Sequence, residues 1–222
     1  MNSNISFLNW FQENAYINSS NINITSNLLY LDHYNTSNFL IKFNELITYK
    51  QPSIIIELGS FNGLTACLMA EEIKKNNISC KIICIDTWQY SQDFWLKIPN
   101  YNINTIDIIN NSYPQIYNIF INNIIIENHT DIIIPIYMPP DKALEIINYN
   151  NLKADIIFMN CELENNIIKN NINDYWTILN NNGILFGNNY LIDNKTYINL
   201  NNFINSSNLL VNIENDIWNI KK

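Results

Sequence analysis

The sequence predicts an α/β fold: a mainly parallel sheet with helices on both faces. Short apolar runs alternate with segments of helical periodicity from about residue 53 onward. The runs are continuous (SIIIEL, KIICID, DIIFM) rather than alternating, as in strands buried on both faces. The chain has 222 residues, 47% of them hydrophobic, and no Gly/Ser/Pro-rich linker or solenoid repeat divides it. One domain is the simplest reading.

The elements follow in order. Ser6 to Ser37 is aromatic and polar with weak periodicity, and is expected to form one or two short helices that cap the rest. Residues 1–50 are thus expected as an N-terminal helical cap segment of the same domain, and 51–222 as its main body. Phe39, Leu40, Phe43, Leu46 and Ile47 recur at helical spacing, predicting a helix over Asn38–Tyr49. Ser53–Leu58 is the first strand, closed by Gly59. Leu64–Lys75 is a helix with Leu64, Cys67, Leu68 and Ile73 inward. Lys81–Asp86 is the second strand and Ile108–Asn123 a helix. Asp131–Tyr137 is the third strand, followed by a helix at Lys142–Asn148. Asp155–Met159 is the fourth strand, Ile167–Leu179 a helix, and Gly183–Phe186 the fifth strand. A helix near Tyr197–Ile204 precedes two strands, Asn208–Ile213 and Asp216–Ile220. Their connection at Glu214-Asn215 is short enough for an antiparallel hairpin at a sheet edge.

Composition removes several function classes. The net charge is −8, and all 12 basic residues are lysine. Without arginine forks or a lysine cluster longer than Lys74–Lys75 or Lys221–Lys222, a nucleic-acid partner is disfavoured. No window holds about 18 consecutive apolar residues, so no membrane span is expected. Met1 to Asn9 lacks the pattern of a secretory signal. Cys67, Cys80, Cys84 and Cys161 form no CxxC pair and read as buried, reduced thiols of a cytoplasmic protein. Asparagine and isoleucine each supply about one residue in five, a bias an AT-rich coding sequence would produce. The two histidines, His33 and His129, are far apart and give a zinc site no support.

In an open parallel sheet, ligands bind outside the carboxyl ends of the strands. The first strand closes as Glu57-Leu58-Gly59-Ser60-Phe61-Asn62-Gly63, where two of the chain's four glycines sit four apart. Gly59 permits a tight turn, and Gly63 lets the next helix start close to the strand and to a ligand. By itself this is also what an ordinary strand-to-helix turn looks like. Asp86 closes the second strand, the usual place for an acid that holds a ribose diol. Together the two features are more specific than either alone.

With these residues in place, the chain resembles the class I S-adenosylmethionine (SAM)-dependent methyltransferases, and within them the macrolide-sugar (macrocin/mycinamicin-type) O-methyltransferases. The resemblance rests on blocks in order: ELGSFNG (57–63), ICIDTW (83–88), HTDIIIP (129–135), ADIIFMNCELENN (154–166), GILFGNNY (183–190) and WNIKK (218–222). It implies a Rossmann-like fold with a seven-stranded sheet and one antiparallel strand. It also implies SAM as cofactor and a small-molecule or sugar acceptor, with a homo-oligomer left open. On this resemblance Glu57, Gly59 and Gly63 line the methionine and ribose part of SAM, and Ser60 and Phe61 belong to the same turn. Asp86 holds the ribose hydroxyls with Thr87 and Trp88 beside it, and the turn after the third strand borders the adenine.

The resemblance also shows departures. Family members typically read Asp-Gly-Ser-His-Glu after the fourth strand and Gly-Asp-Asp-Tyr after the fifth. In metal-dependent relatives the acids bind magnesium and the histidine is the base. Here the segments are Asn160-Cys161-Glu162-Leu163-Glu164 and Gly187-Asn188-Asn189-Tyr190. Asn160, Asn188 and Asn189 are neutral, and Leu163 takes no proton. Magnesium prefers charged oxygen ligands, so it is not expected and no metal ligands are assigned. Glu162 and Glu164 read either as a cation ligand or base, or as solvated residues at a helix N-terminus. The catalytic candidates are therefore Asn160, Glu162, Glu164, Asn188 and Asn189. His129 falls before the third strand, away from the donor methyl. Two functions stand open: an O-methyltransferase of a small molecule or sugar, or an inactive methyltransferase fold acting as a binding or assembly protein. A nicotinamide-dependent protein is disfavoured, since Phe61 stands where that fingerprint has its middle glycine.

Overall fold

The structure is a computed structural model that describes residues 3–17, 36–89, 109–110, 113–160, 166–188 and 194–222. Among the described residues the helices are α1 (Ser3–Tyr16), α2 (Thr36–Lys50), α3 (Leu64–Lys75), α4 (Ile116–Ile126), α5 (Pro140–Tyr149), α6 (Asn166–Ile178) and α7 (Asn194–Ser207). The strands of the main sheet are β1 (Ile54–Leu58), β2 (Lys81–Asp86), β3 (Ile133–Tyr137), β4 (Ala154–Met159), β5 (Leu179–Gly187), β6 (Val211–Glu214) and β7 (Ile217–Lys221). They run in the order β3-β2-β1-β4-β5-β7-β6, with β7 alone antiparallel to the parallel set. The order reverses between β1 and β4, so a switch point lies at their carboxyl ends.

Alternation along the strands divides the core into two layers. Ile55, Ile82, Ile133, Ile156 and Ile184 pack with α2, α3 and α4, while Ile56, Ile83, Ile134, Ile157 and Leu185 pack with α5, α6 and α7. Phe39 and Phe43 of α2 stack on Phe186, and Phe39 lies tilted against Phe158, in the first layer. Glu57 shares that layer with Ile55 and is a carboxylate in an otherwise apolar row.

At the sheet edge, α1 covers β3. The Tyr16 hydroxyl donates to the Ile133 carbonyl at 2.8 Å, and the Gln12 amide donates to the Thr130 carbonyl at 2.6 Å. Pro135 sits within β3, where an edge position tolerates the missing N–H.

Asparagine does part of glycine's conformational work in this glycine-poor chain. Asn77, Asn128, Asn151 and Asn208 all have positive φ, between 51° and 57°, just past the ends of α3, α4, α5 and α7. In each case the next residue's N–H closes a wide turn back into the helix: Ile78 to Ile73, His129 to Ile124, Leu152 to Ile147, Leu209 to Ile204. Asn215 and Asp216, at φ 50° and 69°, form the two-residue turn between β6 and β7. That turn is one residue later than expected, because both central positions must adopt positive φ and Glu214 is paired with Ile217.

Most other boundaries move by three residues or fewer, the strand expected from Asn208 starting at Val211 and that expected from Asp131 at Ile133, and two move further. The helix expected at 108–123 starts at Ile116 and runs to Ile126, because Pro114 lies in a short ladder pairing 109–110 with 113–114. The fifth strand is longer than expected, since Leu179 already pairs with Ala154 ahead of a register shift. Within the expected N-terminal cap, α1 is described; 18–35, including His33, lie outside the described residues.

Candidate functional site

Glu57 is wholly buried, so its carboxylate must find donors inside the protein. Its Oε2 accepts from the Ser60 hydroxyl at 2.6 Å and the Cys84 thiol at 3.4 Å. Its Oε1 accepts from the Thr65 hydroxyl and, at 3.4 Å, from the Asn160 Nδ2. Burial pushes the Glu57 carboxyl above its usual range, while the bonds from Ser60, Thr65 and Cys84 pull it back. Burial likewise raises the Cys84 thiol well above normal, with the Glu57 charge adding to it. Glu57 thus ties three elements together: β1, the first turn of α3, and β2.

The turn after β1 needs its glycines. Gly59 has φ +85° and donates its N–H to the Ile85 carbonyl at 3.0 Å. Gly63 has φ +87°, and a Cβ there would lie 3.0 Å from Phe120 and 3.3 Å from Ile124. Its close approach is therefore to α4. Between them, Phe61 takes φ 45° and leaves its ring partly exposed. Asn62 is buried; its Oδ1 accepts from the Leu64 N–H at 3.2 Å, and its carbonyl accepts from the Asn123 amide at 2.9 Å.

Asp86, half-buried at the end of β2, organises this turn. Its Oδ2 accepts from the N–H groups of Ser60 and Phe61, both at 2.9 Å. Its Oδ1 accepts from the Trp88 N–H at 2.7 Å. Trp88 closes the arrangement: its indole N–H donates to the Phe61 carbonyl at 2.8 Å. The indole packs among Tyr117, Phe120 and Tyr137, at centroid distances of 4.8, 4.8 and 5.7 Å. Thr87 lies in the same turn, half-buried.

Across the switch point, Asn160 follows β4. Its side-chain amide donates to the Gly59 carbonyl and the Thr65 hydroxyl oxygen, each at 3.0 Å. Asn188 follows β5 and donates its amide to the Asn160 Oδ1 at 3.3 Å. The residues Glu57, Gly59, Ser60, Phe61, Gly63, Asp86, Trp88, Asn160 and Asn188 therefore meet at the strand ends. Glu162, Glu164 and Asn189, with Cys161 and Leu163, lie outside the described residues. Among the described residues no group of three or more His, Cys, Asp or Glu is arranged to hold a metal ion. The two described asparagines turn their amides toward each other and toward the turn, which is not a charged ligand set for magnesium.

His129 precedes β3, at the end of the sheet opposite the site, where it is buried with its pKa lowered by burial and then by Lys74. The sequence alone assigns Thr65, Cys84, Asn62 and Asn123 no place in the site. Thr65 carried the one usable signal: a hydroxyl in the first turn of a helix that follows Glu57 across a glycine turn.

A family model described as "Methyltransferase domain" matches residues 56–190, from β1 to just past β5. No curated protein matches the sequence. Solved structures share the fold at low identity. The O-methyltransferase from Bacillus cereus in complex with SAH aligns at TM-score 0.57 and 12% identity, covering 96% of this chain and 91% of that one. CalS11, a calicheamicin methyltransferase, aligns at 0.59 and 12%, covering 96% and 91%. The O-methyltransferase TomG from Streptomyces achromogenes, involved in tomaymycin synthesis and in complex with SAM, aligns at 0.56 and 9%, covering 95% and 87%. The matched segment contains the glycine turn, Asp86, Asn160 and Asn188, and spans more than half of the sequence: this chain belongs to the methyltransferase domain family.

Proposed function

We propose that this protein is a SAM-dependent O-methyltransferase acting on a hydroxyl of a small molecule, with a sugar-bearing acceptor as the favoured class. The observation that carries the reading is the pairing of the glycine turn with Asp86 at the switch point. One carboxylate fixes the Ser60 and Phe61 amides of a turn that has left-handed backbone at Gly59, Phe61 and Gly63. Asp86 would hold the ribose hydroxyls of SAM, the turn 59–63 its methionine part, and the turn after β3, beginning at Met138, its adenine. Bound there, SAM would supply an activated methyl group on a sulfonium; the acceptor oxygen would take the methyl with S-adenosylhomocysteine as the leaving group, its proton passing to solvent. The chain's share of the rate is then positioning, which can account for several orders of magnitude. The likeness to TomG, an O-methyltransferase involved in tomaymycin synthesis, and to CalS11, a calicheamicin methyltransferase, is in keeping with a small-molecule acceptor.

Calorimetric titration with SAM, followed by incubation with SAM and a panel of small-molecule hydroxyl acceptors, tests this reading. The expected result is binding of one SAM per chain and release of S-adenosylhomocysteine above background. Absence of binding overturns the reading. Binding with no turnover across a broad panel would instead favour the inactive, binding-protein alternative.

A further inference from the structure

We propose that Asn160 is a positioning residue that latches the glycine turn to β4, and that the site requires an amide rather than a carboxylate at this position. For its effect on cofactor affinity this rests on the function proposed above; for its effect on the turn it stands alone. Among the described residues three groups converge on the Asn160 nitrogen, and all of them are acceptors. The Gly59 carbonyl and the Thr65 hydroxyl oxygen lie at 3.0 Å, and Glu57 Oε1 at 3.4 Å. Thr65 has given its hydroxyl hydrogen to Glu57, so toward Asn160 it offers only its oxygen.

Each link also donates in one direction. The Asn188 amide donates to the Asn160 oxygen, and the Asn160 amide donates to the turn and to Thr65, whose hydroxyl donates to Glu57. The ends of β5, β4 and β1 are thereby joined by neutral groups whose hydrogens all point toward one buried carboxylate. An aspartate at 160 would bring no hydrogen to three acceptors and would add a second negative charge beside Glu57. Among the described residues, the other titratable groups facing Glu57 are Asp86 and Cys84 on β2 and Cys67 on α3. Each of these is anionic or neutral, so nothing there compensates an added charge. An acid at this strand end therefore does not fit the described part of this site, and the asparagine is more than the remnant of a lost metal ligand.

The test compares wild type, N160D and N160S by titration with S-adenosylhomocysteine at pH 8 and pH 5.5, with and without magnesium. Hydrogen exchange over residues 59–65 is followed without ligand. N160D should bind about tenfold or more weakly at pH 8, the equivalent of one charge-affected buried hydrogen bond. The gap should narrow at pH 5.5, where the new carboxyl protonates beside Glu57 and becomes a donor again. Magnesium should not restore binding. N160S keeps one donor and adds no charge, so its loss should be smaller and independent of pH. Exchange protection of 59–65 should fall in the same order as affinity.

Wild-type affinity in N160D at pH 8, or recovery on adding magnesium, overturns the proposal. Should wild type not bind S-adenosylhomocysteine, the cofactor reading fails while the exchange comparison still decides the latch. If N160D does not fold, N160S decides: unchanged protection over 59–65 overturns the latch.

Discussion

Asp86→Asn removes a charge from the residue that organises the glycine turn, and its effect can be worked from three bonds. The carboxylate takes the Ser60 and Phe61 N–H groups on one oxygen at 2.9 Å each, and the Trp88 N–H on the other at 2.7 Å. Asparagine keeps one oxygen. Either the turn pair or Trp88 then loses its acceptor and faces an NH2 group instead. One bond to a charged group is worth about 1.5–3 kcal/mol in a buried setting, and the retained bonds weaken to neutral strength. Discounting for the half-exposed position of Asp86, the turn should lose about 2 kcal/mol of local stability. If the closed turn is what binds cofactor, this corresponds to roughly thirtyfold weaker binding, before any loss of ribose contacts. Calorimetry with S-adenosylhomocysteine, alongside hydrogen exchange over residues 59–63, measures both effects. Affinity within threefold of wild type together with unchanged exchange would refute the reasoning.

Three further outcomes follow from the geometry. Gly187→Ala would place a Cβ 2.5 Å from the buried Trp218 ring, and should cost about 3 kcal/mol and several degrees of Tm in a thermal melt. An unchanged Tm would show that the ring yields. Burial alone would raise the Asp155 carboxyl, but the Ser53 N–H and hydroxyl at 2.8 Å and the Asn180 amide at 2.9 Å outweigh it and hold its pKa below normal. A depressed carboxylate stabilises fully above its unfolded pKa of about 4 and loses that contribution as pH falls through its folded value, so urea melts of Asp155→Asn should lack this part of the acid limb. Asn151, at φ 52°, should tolerate glycine with little change and lose about 1 kcal/mol as alanine. Equal stabilities for the two variants would remove asparagine's role at these helix ends.

The fold was largely legible because its signals are local. The apolar run Lys81–Asp86 and the periodic segment Leu64–Lys75 coincide with β2 and α3 to the residue. Boundaries shifted where a backbone requirement overrode the apolar pattern: Pro114 before α4, and the two positive-φ residues of the last hairpin. The asparagine excess was the least legible feature. As composition it looks like codon bias, yet at Asn77, Asn128, Asn151 and Asn208 it supplies conformations that other chains assign to glycine. In the site, the glycine turn and Asp86 could be placed from spacing alone. The direction of the Asn160 amide could not, because replacing an acid by an amide says nothing about which acceptors surround it. Those acceptors come from β1, the turn after it and α3, about a hundred residues earlier in the chain.

The most direct test of the central claim is a crystal structure of the protein grown with saturating S-adenosylhomocysteine. The account predicts ligand at the carboxyl ends of β1 and β2, its ribose hydroxyls on Asp86 and its amino-acid end against residues 59–63. Ligand bound elsewhere on the chain, or a turn 59–63 with no ligand against it at saturating concentration, would contradict it.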